Sequence, residues 1–98
     1  MDINKTQEGT NLVLAVKGRL DTVTSPELEK EIKEGLGGIT DLTLDFSELE
    51  YISSSGLRIV LLAQKTMNKQ GSMTIKNVNS VIMEVFEITG FVDILNIE

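Results

Sequence analysis

The 98-residue chain contains no cysteine and no histidine. The first absence rules out a disulfide framework and a thiolate nucleophile, and the two together rule out the usual zinc sites. The second also removes the commonest general base near neutral pH. Aromatic residues make up only 4%, and there is a single proline, Pro26. No apolar run reaches the ~20 residues that a bilayer-spanning helix needs. Met1-Asp2-Ile3-Asn4-Lys5 has neither a basic n-region nor an apolar h-region, so no signal peptide is expected and the reading is a soluble cytoplasmic protein. The nine lysines and arginines form no basic stripe, and the net charge is −6, which argues against a nucleic-acid partner. That acidity either steers the chain toward a basic partner surface or simply keeps it soluble.

What is present suits one α/β domain over residues 1–98. A chain of this size buries roughly 60–70% of the surface its unfolded form exposes, enough for one core. Leu12–Val16 is a short apolar run and is expected as a central strand buried on both faces, with Ile3–Thr6 pairing beside it and Gly18 ending it. Thr24 followed by Glu27 reads as a capping box, with Pro26 in the first turn of a helix. Leu28, Ile32 and Leu36 form its packing stripe, Glu29 and Lys33 an outward pair, and Gly37-Gly38 its end. Leu42–Phe46 alternates as a strand. A polar turn then leads to an apolar helix from Leu57 to Met67, wide enough to pack on two neighbours or to leave part of its first turn exposed for a partner. Ser72–Lys76 is a further strand. Asn79 or Ser80 caps a helix carrying Ile82, Val85, Phe86 and Thr89 on one face, Gly90 closes it, and Phe91–Leu95 reads as a short edge strand. This order implies a mixed, mostly parallel sheet of four or five strands flanked by helices.

Little catalytic machinery is visible. Ser53-Ser54-Ser55-Gly56 on a strand–turn–helix invites comparison with the G-x-S-x-G elbow, but Ile52 stands where the first glycine belongs relative to Ser54. No histidine is available to take the proton, and Ser55-x-x-Arg58 offers only a permanently protonated side chain. The carboxylates match no calcium loop, and no phosphate-binding glycine loop occurs. The serines are then helix caps or a modifiable site, since a helix N-terminus welcomes a phosphate.

Three motifs in order give the chain a family likeness. Gly18-Arg19-Leu20-Asp21, the stretch Leu44-Asp45-Phe46-Ser47 with Tyr51-Ile52-Ser53-Ser54-Ser55-Gly56-Leu57, and Ile88-Thr89-Gly90-Phe91 resemble the motifs of the anti-sigma factor antagonists, the bacterial STAS domains. The resemblance covers nearly the whole chain. It implies a protein-binding switch without enzymatic activity or cofactor. In that family the serine before the glycine is phosphorylated by an anti-sigma factor that is itself a serine kinase, and a PP2C-type phosphatase resets it. By position this is Ser55. The partner surface implied comprises Asp21, Ser53, Ser54, Ser55, Gly56 and Leu57, although Asp21 serves equally well as a loop cap. Where the family commonly has aspartate this chain has Ser53, which removes a negative charge beside the hydroxyl. A STAS scaffold or ligand-sensing module not regulated by phosphorylation is the alternative.

Overall fold

A computed structural model describes residues 1–98. The elements run β1 (Asp2–Glu8), β2 (Asn11–Leu20), α1 (Ser25–Gly35), β3 (Asp41–Asp45), β4 (Leu49–Ile52), α2 (Ser54–Asn68), β5 (Ser72–Lys76) and α3 (Ser80–Thr89), followed by a 3-10 turn at Phe91–Asp93. The strand order is β1-β2-β3-β5, with β4 paired to the far end of β2. Only β1–β2 is antiparallel; the other three pairings are parallel. The expected mixed, mostly parallel α/β sheet is thus present, flanked by three helices. No helix is long and apolar enough to cross a membrane.

The core follows the side-chain periods. Leu12, Leu14 and Val16 of β2, Leu42 and Leu44 of β3, and Met73 and Ile75 of β5 are buried at alternate positions. Against them pack Leu28, Ile32 and Leu36 of the α1 segment and Ile59, Val60, Ala63 and Met67 of α2. Val13 and Ala15 are only half-buried, so β2 is not buried on both faces as its unbroken apolar run suggested. The wide stripe of α2 is explained by packing on the sheet and on α1, and its first-turn Leu57 is buried.

Four local expectations are corrected. Gly18 does not end β2; it takes φ +90° at a bulge where the register passes over Glu50, and the strand continues to Leu20. Residues Leu49–Ile52 are not a polar turn but a strand on that continuation. No capping box forms at α1: Thr24 makes no side-chain cap there, because its backbone is already helical (φ −92°, ψ −23°) and its hydroxyl accepts instead from the Asp21 N–H at 2.9 Å. Phe91–Leu95 is not a strand, since Phe91 turns back to stack on Phe86 with ring centroids 6.4 Å apart. The edge of β5 is met further on, where the Ile75 N–H donates to Asn96 and the Glu98 N–H to Ile75, both at 2.9 Å. Elsewhere the local chemistry matches its reading. Asn79 caps α3 by accepting from the Ile82 N–H at 2.9 Å, and Gly90 closes that helix in the left-handed region.

Candidate functional site

The bulge at Gly18 and the β4 pairing bring two chain segments to one end of the sheet. One is the turn Asp21–Thr24 between β2 and α1; the other is the N-terminus of α2. The Ser53 N–H donates to the Leu20 carbonyl at 2.9 Å and ties them together.

Asp21 organises its own turn. Its Oδ1 accepts from the backbone N–H of Val23 at 3.0 Å and of Thr24 at 3.1 Å. The Thr24 hydroxyl also lies 3.1 Å away, and Arg19 stands 3.6 Å from Oδ2. The Thr24 N–H is the main reason that the Asp21 carboxyl sits below the ordinary carboxylate range. Arg19 also lies over the Tyr51 ring, 4.2 Å from its centroid, so it bridges the turn and β4. Asp21 therefore performs the loop-capping role that its residue type allowed.

The serines have three different environments. Ser53 is the N-cap of α2: its hydroxyl accepts from the Gly56 N–H at 3.2 Å and its carbonyl accepts from Leu57 at 2.9 Å. Ser54, the first helical residue, is exposed. Ser55, the second, is half-buried with its hydroxyl 3.2 Å from the Thr22 hydroxyl. Either oxygen can donate in that contact, and neither is a base. Gly56 and Leu57 lie beneath the surface. A Cβ at Gly56 would stand 2.8 Å from Leu20 Cγ, 2.9 Å from Ile52 Cγ1 and 2.9 Å from the Leu20 carbonyl oxygen, so this turn of helix seats directly on β2 and β4.

The structure adds Thr22 and Val23 to the residues picked from sequence. Val23 is 85% exposed at the tip of the turn. Thr22 is 33 positions from Ser55, and nothing in the local sequence signals their contact. Arg58, one helical turn beyond Ser55, points its guanidinium toward Glu29 of α1 at 3.7 Å. No group of three or more histidine, cysteine, aspartate or glutamate residues is arranged to hold a metal ion. The site presents hydroxyls at the surface of a helix start that seats closely on β2 and β4.

Comparisons with known proteins agree with this geometry. The family model of the STAS domain matches residues 2–98. BtrV of Bordetella bronchiseptica, named among the anti-sigma factor antagonists, is 35% identical over 85 residues, which cover 85% of this chain and 73% of that one. The crystal structure of an anti-sigma factor antagonist from Mycobacterium paratuberculosis superposes with a TM-score of 0.88 at 22% identity, over 98% of this chain and 83% of that one. The Bacillus cell fate determinant SpoIIAA in its phosphorylated form gives a TM-score of 0.78 at 19% identity, over 99% and 91% of the two chains. With the family model matching residues 2–98 and a relative 35% identical over 85% of the chain, the chain belongs to the STAS domain family of anti-sigma factor antagonists.

Proposed function

We propose that this antagonist is a phosphorylation-controlled switch acting in the cytoplasm. Unmodified, it binds an anti-sigma factor that is itself a serine kinase, and so frees a sigma factor for transcription. Phosphate on Ser55 releases the partner, and a PP2C-type phosphatase restores the binding form. The surface used is the serine turn with the Asp21 loop: Asp21, Ser53, Ser54 and Ser55 on the outside, with Gly56 and Leu57 setting the helix against the sheet.

The observation that carries this reading is the position of Ser55. It is the second residue of α2, half-buried, with its hydroxyl at a surface shared only with Thr22. A phosphoserine there brings about −1.5 to −2 charges and three acceptor oxygens. The N–H groups of the first helical turn and the helix dipole offset this locally by about 0.3–1 kcal/mol, so the fold tolerates it. A docked surface tolerates it less, because burying that charge without a cation costs several kcal/mol. The solved phosphorylated form of SpoIIAA supports the same chemistry on a like fold. Ser53 in place of aspartate does not cost the helix its cap, since its hydroxyl accepts from Gly56.

The test is incubation of the domain with its cognate anti-sigma factor and ATP, followed by peptide mapping. Phosphate on Ser55, none on the Ser55→Ala variant, and loss of the complex on modification are the expected results. Phosphate confined to Ser53 or Ser54 would move the site. Binding preserved with no modification by any cognate kinase would make the protein a STAS scaffold instead.

A further inference from the structure

Away from the serines, α1 and α2 part to leave an open groove of about 260 Å³ lined by Glu29, Lys33, Arg58, Leu61, Leu62 and Lys65. Three of the nine cations of a chain with net charge −6 converge here, against one carboxylate. Glu29 is shared between two of them, 3.2 Å from Lys33 and 3.7 Å from Arg58. Lys65 has no carboxylate within ion-pair distance. Between the cations, Leu61 and Leu62 are half-buried and present apolar surface.

We infer that this groove receives an acidic, leucine-bearing segment of a partner protein. Its carboxylates would pair with Lys65, Lys33 and Arg58, and its apolar side chains would cover Leu61 and Leu62. The acidic balance of the rest of the chain disfavours such a segment elsewhere, so charge fixes its register on the domain. The groove also joins the serine turn, because Arg58 is the i+3 neighbour of Ser55 on α2. A phosphate on Ser55 would compete for Arg58 and repel the same acidic segment. That coupling rests on the Ser55 reading; the occupant of the groove does not.

The test is an amide-resolved NMR titration of the domain with a short synthetic peptide of alternating glutamate and leucine. It needs no anti-sigma factor, so its failure and that of the antagonist switch are separate results. Shifts centred on Lys33, Leu61, Leu62 and Lys65 are expected. The Lys33→Glu/Lys65→Glu variant should bind about tenfold or more weakly, whereas Lys5→Glu/Lys76→Glu, with the same change in net charge, should bind within about twofold of the parent. Lys65→Glu alone, which breaks no ion pair of the domain, should show an intermediate loss. No shifts in the groove, or equal weakening in the two double variants, would overturn the proposal. So would the same shifts appearing with ATP alone, or on raising the concentration of the domain itself, which would give the groove to a nucleotide or to a second copy.

Discussion

Gly56→Ala adds one methyl group at the point where α2 meets β2 and β4. That methyl would meet Leu20 Cγ at 2.8 Å and Ile52 Cγ1 at 2.9 Å, and both side chains are buried. It would also meet the Leu20 carbonyl oxygen at 2.9 Å, and that carbonyl is held by the Ser53 N–H. Three neighbours with little room to yield put the change in the overpacking class, at about 1–3 kcal/mol. Alanine returns up to ~1 kcal/mol of helix propensity in a helix interior, and less in a first turn. The net loss is about 1–2 kcal/mol, or roughly 5–15 °C in melting temperature for a domain of this size. Thermal and urea unfolding followed by circular dichroism measure it. A Gly56→Ala domain melting at or above the parent temperature would refute the crowded-seat argument. Gly71→Ala is a useful companion, because its Cβ would fall on the Thr40 backbone, and it should lose more stability than Gly56→Ala.

Ser53→Ala removes the hydroxyl that caps α2 and should cost about 1 kcal/mol, read as a fall in urea midpoint with an unchanged slope. Asp21→Asn should lower the melting temperature, because it weakens the turn hydrogen bonds to Val23 and Thr24, and should also weaken partner binding, because the same turn lies on the proposed surface; lowered stability with parent-like affinity, by calorimetry, would remove Asp21 from that surface. The Asp45 carboxyl is held below the ordinary range by the Asn77 side chain and the Ser47 N–H, and Asp21 is depressed as well. A depressed folded value means stability that is full above the unfolded pKa of about 3.9 and lost as pH falls through the folded value. The Asp45→Asn domain should therefore lose less stability than the parent between neutral pH and the acid limb, measured as urea midpoint against pH. Ser55→Asp should weaken anti-sigma factor binding less than phosphate does, since it supplies about one charge where phosphoserine supplies nearly two; equal weakening, by calorimetry, would show that charge count is not what matters.

The elements with strong periods were legible in the sequence. Leu28, Ile32 and Leu36 announced α1, the alternation of Leu42 and Leu44 announced β3, and Asn79 and Gly90 marked the ends of α3. β4 was not legible, because Leu49-Glu50-Tyr51-Ile52 is buried only at its two ends, an i, i+3 spacing that lacks the alternation of a strand. It is a strand because β2 continues past a bulge to pair with it, and that continuation is a tertiary fact. The capping box at Thr24 failed for a similar reason. The residue types were right, but the Asp21 N–H, turned toward Thr24 by the loop, takes the hydroxyl as its acceptor. At the site, the serine turn could be found from its motif, whereas Thr22 could not, since only the folded sheet brings it to Ser55.

The edges of the sheet restrict how this domain can associate. On β1 every residue but Ile3 is exposed, and the strand carries Asp2, Lys5 and Glu8, charges that discourage strand-to-strand addition. On β5, the backbone of Asn96–Glu98 already occupies the hydrogen-bonding positions of Ile75. Main-chain zippering, which would be indifferent to sequence and hard to reverse, is thereby discouraged on both sides. Recruitment is left to side chains on the helices and at the loop end, and under the proposed switch the arrival or removal of a single charged group there would reverse it.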